Sequence, residues 1–434
     1  MMATRALRGR LLDFADDPAV AGDGAHRYIE DGLLIIVDGK VTATGTAAEL
    51  LPGLDPGTAI IDHHPHLILP GFIDTHIHYP QTQVIASYGA QLLDWLNTYT
   101  FVEEQKFADP AHSDLIADFF LDELLRNGTT TAVVYCTVHP QSAEAFFVQS
   151  ARRNTRMIAG KVLMDRNAPD GLRDTAETGY RDSKALIEKW HGNDRQLYAV
   201  TPRFAITSTE AQLQAAGALM TEHPDVYLQT HLSENRREIE TVKKLFPDAR
   251  DYTDVYACHG LLGPKSLFGH CIHLSPRERQ ALSESGSVAA FCPTSNLFIG
   301  SGLFDMAALT AGDHPVQVSL ATDVGGGTSY SMLQTAAEAY KVLQLGGQNL
   351  PALNAFYLMT RGNARTLSLE GTIGSFDPGA EADVVVLDAS ATAAMAHRMQ
   401  TVQTLDEELF VLMTMGDDRA VAATYVMGEL MTAG

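Results

Sequence analysis

Two histidines one residue apart, His76 and His78, end an apolar segment that reads PGFIDTHIH over residues 70–78. Side chains alternate in direction along a β-strand, so both imidazoles would point to the same face. Two neutral imidazoles that converge in this way can bind zinc. The spacing alone is a weak signal, because the chain has 16 histidines and residues 64–66 read His-Pro-His. We interpret that second pair as a loop, because its proline interrupts a strand.

Other candidate metal-binding and catalytic side chains follow later apolar segments. His231 ends the segment VYLQTH, and Glu234 comes shortly after it. His270 lies in LFGHCIHL, and Asp323 ends VQVSLATD. Alone, each has a structural explanation, since a histidine at a strand end is more often a hydrogen-bonded structural residue and an aspartate before glycines is commonly a turn residue. As a set they are harder to dismiss, because they all lie at the ends of predicted strands. The histidine pair ends strand one, His231 strand five, His270 strand six and Asp323 strand eight.

The elements that must position these side chains are eight apolar segments separated by helical patterns. Strands are predicted at Leu67–Ile73, Thr130–Tyr135, Met157–Met164, Leu197–Phe204, Val226–Thr230, Leu267–Ile272, Val288–Cys292 and Val316–Thr322. Among the helical patterns, Ser113–Arg126 has an apolar stripe, a serine that can cap its start and a glycine soon after its end. This alternation predicts an α/β fold with a parallel (β/α)8 barrel, whose active site lies at the carboxyl ends of the strands.

Both ends of the chain are predicted to be β-structure. Tyr28–Gly45 contains two strands about an Asp38-Gly39 turn, and Ala382–Asp388 and Arg419–Leu430 are strand patterns. We therefore expect one small β-domain built from residues 1–69 and 370–434, with the barrel inserted as residues 70–369.

The composition narrows the class of function. Of the 434 residues, 45% are hydrophobic and 19% are charged, which suits a large folded core. The net charge of −22 repels nucleic-acid backbones and anionic lipid, whereas an uncharged nucleobase remains a possible ligand. The four cysteines form no CxxC pair and no apolar run could span a membrane, so a soluble cytoplasmic protein is expected.

Several of these motifs resemble the amidohydrolase superfamily, namely PGFIDTHIH, THLSE, HCIHL and the Thr-Asp pair that ends predicted strand eight. Further segments are similar to the guanine deaminases of that superfamily: QLLDWLNTYTF (91–101), GKVLMDRNAPD (160–170), TPRFAITST (201–209), FCPTSNLFIGSGLFD (291–305) and MLQTAAEAYKVLQL (332–345). Val102 and Ile206 stand where that pattern usually has proline. The resemblance implies a distorted (β/α)8 barrel with a β-sandwich built from both termini, hydrolysis of guanine to xanthine and ammonia, one zinc per chain and a homodimer.

The resemblance also implies roles for individual residues. One zinc would be held by His76, His78, His231 and Asp323, with His270 as a further ligand or at the metal-bound water. Catalytic roles fall to Glu234 as proton shuttle, to Asp323 and to His270. Substrate contacts are implied for His78, Tyr79, Pro80, Gln81, Arg203, Phe204, His231, Leu232, Ser233, Glu234 and Asp323.

The chemistry of these side chains agrees with the implied roles. Zinc held mainly by nitrogen lowers the pKa of a bound water to about 7, which yields a nucleophile for a ring carbon that carries an amino group. A carboxyl group such as that of Glu234 can protonate the neighbouring ring nitrogen, and Asp323 can take a proton from the nucleophile. Arg203 can only donate, so it suits guanine O6 and does not suit an amino group, as in adenine. An ion pair with a loop carboxylate is the alternative for Arg203.

Four alternatives remain at this stage. A deaminase of another aminated ring, such as an s-triazine or an adenosine derivative, would use the same site. A binuclear amidohydrolase would need a lysine at the end of strand four, where the chain reads Thr-Pro-Arg-Phe, and Lys161 lies too early in strand three. A non-catalytic scaffold would have lost ligands that are all present here. Iron could replace zinc, because histidine and aspartate discriminate weakly between divalent metals. A cytidine-deaminase site is excluded, because the sequence lacks its HxE and PCxxC signatures.

Overall fold

The computed structural model describes residues 4–89 and 91–433, and strands make up two sheets within these ranges. In chain order the strands are β1 (Thr4–Phe14), β2 (His26–Val37), β3 (Lys40–Thr46), β4 (Ala59–Pro70), β5 (Phe72–His78), β6 (Thr129–Tyr135), β7 (Arg156–Gly160), β8 (Val162–Leu163), β9 (Leu197–Pro202), β10 (Tyr227–Leu232), β11 (Ser266–His270), β12 (Val288–Phe291), β13 (Gln317–Leu320), β14 (Val384–Leu387), β15 (Val421–Val426) and β16 (Glu429–Ala433).

The longer helices follow the barrel strands or pack near the second sheet. They are Pro110–Arg126, Pro140–Arg153, Ala176–Trp190, Glu210–Glu222, Arg236–Leu245, Pro276–Ser285, Met332–Leu345 and Leu405–Met415. Shorter helices include Leu92–Trp95, Phe101–Glu104, Tyr252–Ala257, Pro293–Phe298, Met306–Thr310, Ala352–Tyr357, Asn363–Thr366 and Ala393–Met399, and Leu96–Thr100 and Leu358–Gly362 are π-helical. Within the described ranges, every helix is too short or too polar to cross a membrane.

Eight parallel strands form a nearly closed barrel, which confirms the predicted fold class. Their order is β5, β6, β7, β9, β10, β11, β12 and β13, and the short β8 pairs beside β9. The seam between the first and last strands is joined by the buried amide of Asn363. Its Nδ2 donates to the carbonyl oxygens of Ile73 and Leu320 at 2.7 and 2.8 Å, and Leu320 N donates to its Oδ1 at 3.0 Å. This clamp joins the start of β5 to the end of β13.

The second sheet combines both ends of the described chain, as the sequence predicts. Its order is β16-β15-β14-β4-β1-β2-β3, with β4 parallel to β1 and antiparallel to β14. Leu7, Leu34, Ile68, Val384 and Tyr425 lie in its apolar core. The proposed boundaries at residues 69/70 and 369/370 stay predictions, and residues 1–3, 90 and 434 lie outside the described ranges.

A buried group of charges links the second sheet to the barrel. Glu381, just before β14, accepts hydrogen bonds from Arg156 Nε at 2.7 Å and from Arg195 Nη2 at 2.7 Å. Lys40 Nζ lies 3.3 Å from the same carboxylate. Burial opposes ionisation of Glu381, but these cations outweigh it and lower its pKa to about 2. Both arginines lie at the amino end of the barrel, opposite to the predicted site.

The structure corrects three details of the sequence analysis. The predicted strand Leu67–Ile73 is divided, because β4 ends at Pro70 in the second sheet and β5 begins the barrel at Phe72. The His-Pro-His residues 64–66, interpreted as a loop, lie within β4. Asp109, not Ser113, caps the helix Pro110–Arg126, since its side chain accepts a hydrogen bond from Ala111 N.

Candidate active site

The predicted metal ligands meet in a pocket at the carboxyl ends of the barrel strands. The pocket opens to solvent, and its empty space including the mouth is about 380 Å³. Its lining comprises His78, Gln81, Leu92, Trp95, Leu96, Arg203, Phe204, His231, Glu234, His270, Ser295, Ile299, Asp323 and Gly326. His76 lies directly beneath, with its imidazole 3.4 Å from Asp323 Oδ1. Parallel strands bring these distant parts of the sequence to one end of the barrel.

His76, His78, His231 and Asp323 form a buried group that could hold a metal ion. One nitrogen or oxygen of each lies within 4.8 Å of the others. Asp323 Oδ1 is 3.3 Å from His78 Nε2, which is itself 3.3 Å from His231 Nε2. The buried Nε2 of His76 and Oδ1 of Asp323 lack a hydrogen-bond partner among the described residues. Buried polar atoms without partners are uncommon, and a cation bound by three imidazoles and a carboxylate satisfies them.

Hydrogen bonds orient two of the imidazoles. His231 Nδ1 donates to the carbonyl oxygen of Arg203 at 2.7 Å, which leaves the Nε2 lone pair directed toward His78. His270 Nδ1 donates to Asn296 Oδ1 at 2.9 Å, and its Nε2 lies 3.3 Å from Glu234 Oε2 and 3.8 Å from Asp323 Oδ2. Such outer contacts set the tautomer and the angle of a metal-binding histidine.

The protonation states also suit a metal centre. Burial lowers the pKa of His78 to about 3 and holds the pKa of His231 well below its usual value, so both rings are neutral. Burial opposes ionisation of Asp323 as well. The imidazoles of His76 and His78, which lie 3.4 and 3.3 Å from Asp323 Oδ1, nevertheless hold the pKa of its carboxyl well below the usual value. Neutral imidazoles and an ionised carboxylate are the forms that bind a divalent cation.

The pKa of Glu234 is shifted in the opposite direction to that of Asp323. Burial and the nearby Asp323 carboxylate raise the pKa of Glu234 to about 8, although the hydroxyl of Ser301 donates to its Oε1 at 2.8 Å. At neutral pH the site therefore contains a protonated Glu234 close to an ionised Asp323. Two carboxyl groups whose environments separate their pKa values in this way are typical of acid–base catalysis.

The backbone at three of these strand ends adopts the left-handed region. Ser233 has a φ of 50°, His270 of 70°, Cys271 of 52° and Asp323 of 52°. Residues other than glycine rarely adopt positive φ, and each such residue costs about 1–3 kcal/mol. The chain thus turns sharply after β10, β11 and β13, at the residues whose side chains face the pocket. Backbone strain of this kind clusters at functional sites.

The opposite wall of the pocket holds Arg203, which follows β9. Its Nη1 donates to both carboxylate oxygens of Glu104, at 2.9 and 2.8 Å. Gln81 Nε2 donates to Glu104 Oε1 at 3.1 Å. Arg203 therefore both lines the pocket and forms the ion pair that the sequence analysis left as its alternative. Sequence reasoning missed Glu104, because an acidic pair at 103–104 on a short helix reads as ordinary surface charge.

Four predicted substrate-contact residues do not line this pocket. The Tyr79 side chain points away from it, donates to the Ser142 carbonyl at 2.7 Å and packs on Phe107 and Phe146. If Tyr79 contacts the substrate, it can do so only through its backbone atoms. The other three are Pro80, Leu232 and Ser233, which are absent from the pocket lining of the described chain.

Comparisons with known proteins agree with this arrangement. The profile of the Amidohydrolase family matches residues 67–431. Guanine deaminase from Escherichia coli (strain K12) is 50% identical over 430 residues, which cover 98% of this chain and 97% of that protein. The solved structure of E. coli guanine deaminase has a TM-score of 0.95 at 48% identity and covers 99% of both chains. Guanine deaminase from C. acetobutylicum with guanine bound in the active site has a TM-score of 0.86 at 28% identity, covering 99% of this chain and 100% of that one.

Proposed function

The chain belongs to the amidohydrolase family, and we propose that it hydrolyses guanine to xanthine and ammonia. One observation carries this proposal: a single pocket joins a histidine–aspartate metal-ligand group, a protonated carboxyl group and the guanidinium of Arg203. The metal-ligand group and the protonated carboxyl group would catalyse hydrolysis, and the guanidinium of Arg203 would select a ring with a carbonyl oxygen. Two relatives that match nearly the whole chain are the guanine deaminase of Escherichia coli and a probable guanine deaminase of Deinococcus radiodurans.

His76, His78, His231 and Asp323 are the proposed metal ligands, and zinc is the proposed ion. Zinc suits a site with three imidazoles and one carboxylate, and it supplies a Lewis acid that makes water nucleophilic near neutral pH. His270 is proposed to contact the reacting water rather than the ion, because its Nε2 faces Glu234 Oε2 at 3.3 Å. One ion per chain is expected, because Lys161 is buried in an ion pair with Asp174 and is not free to bridge two ions.

Glu234 and Asp323 are proposed to divide the proton transfers. Water attacks C2 of guanine and loses one proton to Asp323 Oδ2, the oxygen that faces away from His76 and His78. Protonated Glu234 gives its proton to N3, which would otherwise accumulate negative charge. The C2–N bond then breaks with a proton delivered to the amine. Glu234 takes the proton of the C2 hydroxyl, whose oxygen becomes O2 of xanthine, and passes it to the departing amine, which leaves as ammonia. Asp323 then returns its proton to Glu234, so both carboxyl groups recover their starting states.

The remaining pocket residues are proposed to hold the purine. Arg203 donates to O6, and Gln81 contacts the same edge of the ring. Phe204, Leu92 and Trp95 supply apolar surface around the ring, as is typical of pockets for flat aromatic ligands. A homodimer and a cytoplasmic location, which follow from the resemblance and the composition, stay predictions.

Ammonia release from guanine, adenine, cytosine and an s-triazine tests the proposed substrate. We expect guanine to be preferred over adenine by at least about 10⁴-fold in kcat/KM, because a site built to hydrogen-bond one edge rejects analogues that leave its polar groups unpaired. A preference for any other ring in the panel would show that the site serves a different deamination.

A further inference from the structure

Glu104 is a buried carboxylate to which the proposed chemistry gives no role. It ends the short helix Phe101–Glu104 and its side chain is 0% exposed. Its partners are Arg203, through both carboxylate oxygens, and Gln81, through Oε1. Both partners line the substrate pocket, whereas Glu104 lies behind them. Its position is that of a residue that acts on a substrate through two others.

The ion pair with Glu104 leaves donors of Arg203 available to the pocket. Within the described residues, every hydrogen bond of the guanidinium comes from Nη1. Nη2 and Nε therefore keep their N–H groups for a ligand. The ring of Phe101 lies 5.4 Å from Arg203 Cζ and restricts the guanidinium from a second direction. The helix Phe101–Glu104 thus fixes both the plane and the direction of the arginine.

The same carboxylate sets the orientation of the Gln81 amide. A carboxylate only accepts hydrogen bonds, so the amide must direct Nε2 toward Glu104 and leave Oε1 on the other side. Gly325 makes room for that oxygen, because a Cβ at this position would lie 1.9 Å from Gln81 Oε1. Its φ of 120° also disfavours any residue with a side chain. Oε1 has no hydrogen-bond partner in the described part of the chain and is available as an acceptor.

Through these contacts, Glu104 places the N–H donors of Arg203 beside the Oε1 acceptor of Gln81 on one wall of the pocket. A ring edge with a carbonyl next to an N–H, as at C6 and N1 of guanine, matches that pattern. An edge with an amino group next to an unprotonated nitrogen, as in adenine, reverses it. We infer that Glu104 is a positioning residue that fixes Arg203 and Gln81 to recognise a lactam edge. This inference rests on the proposed function, because it concerns the same pocket.

Two competitive inhibitors isolate the lactam edge from the reaction. Hypoxanthine carries the carbonyl and the N–H but has no amino group at C2, and purine lacks all three. The wild-type protein is expected to bind hypoxanthine at least about tenfold more tightly than purine, since unpaired polar groups in a buried site cost this much or more. Inhibition constants are measured against guanine, with xanthine formation as the signal.

The informative substitution is Glu104→Gln, which keeps the size of the side chain. Its amide can donate, so it permits the Gln81 amide to rotate and present Nε2 to the pocket. We expect hypoxanthine binding to weaken at least about tenfold while purine binding changes less than about threefold. Glu103→Gln is the matched control, because Glu103 pairs with Lys106 at 2.6 Å and does not line the pocket. This control should keep both inhibition constants.

The outcomes separate this inference from the proposed function. Wild-type protein that does not deaminate guanine contradicts the function itself. An active wild type whose Glu104→Gln variant keeps its preference for hypoxanthine contradicts the inference alone, as does an equal loss for both inhibitors, which indicates a structural role. If Glu104→Gln does not fold, the double variant Glu104→Gln/Arg203→Met removes the unpaired buried cation. Retained preference for hypoxanthine in that protein also overturns the inference.

Discussion

Replacement of Glu234 by glutamine is expected to abolish turnover while the site remains intact. Glutamine is nearly the same size and keeps a carbonyl oxygen that can accept the hydrogen bond from Ser301, now 2.8 Å from Glu234 Oε1. With a pKa of about 8, Glu234 is already mostly protonated at pH 7, so a neutral amide matches its charge. We therefore expect the melting temperature and the metal content to stay at the wild-type values.

The expected loss lies in kcat. The amide cannot give a proton to N3 or return one to the departing amine, and a general acid or base contributes about 10²–10⁴-fold per step. A reduction of at least about 10²-fold in kcat with KM within about threefold follows, because the missing proton transfer belongs to the transition state. Steady-state xanthine formation, metal analysis and a melting curve on one preparation measure all three quantities. A kcat within about threefold of wild type, or joint loss of metal and thermal stability, would refute the proton-shuttle role.

Three other substitutions test separate parts of the account. His231→Ala should lower metal affinity by more than the ~10–100-fold typical of residues outside the ligand set, and a variant with full metal content after dialysis would remove His231 from the ligands. Arg203→Lys should keep the charge opposite Glu104, but lysine has one nitrogen in place of the separate donor nitrogens of the guanidinium. The value of kcat/KM for guanine should therefore fall at least about tenfold with an unchanged melting temperature, and an unchanged kcat/KM would show that Arg203 does not contact substrate. Glu381→Gln should lower stability at pH 7 by about 2–3 kcal/mol, since the pKa of Glu381 is lowered to about 2. That difference should be complete above about pH 4.5 and vanish as the pH falls toward 2; urea unfolding that shows no pH-dependent difference would contradict the role of this ion cluster.

The barrel strands and the candidate side chains at their carboxyl ends follow from local features of the sequence, whereas the roles of these side chains as metal ligands came from the family resemblance. A buried parallel strand is a short, nearly continuous apolar run, so the run itself marks the strand and the polar residue after it marks the carboxyl end. Alternation along a strand then brings His76 and His78 to one face. The predicted sites at His231, His270 and Asp323 needed no more than this rule, and the barrel places all five residues around one point.

The residues that orient this group depend on contacts between distant segments. Asn296 binds His270, Ser301 binds Glu234, and Glu104 binds Arg203 from 99 residues away. No spacing rule links such pairs, because each is created by the packing of segments that follow different strands. The predicted cap at Ser113 was wrong for a local reason: Asp109 is an equally good capping residue, and the Pro110 that follows it suits the first helical position.

Hydrolysis of guanine in water enriched in ¹⁸O shows whether the protein is a hydrolytic guanine deaminase. We expect the purified protein to form xanthine and ammonia in equal amounts, with one ¹⁸O atom at C2 of each xanthine. Removal of metal by a chelator should stop this reaction, and one divalent ion per chain should restore it. Failure to form xanthine with metal present, or xanthine without the label, would contradict hydrolytic deamination at this site.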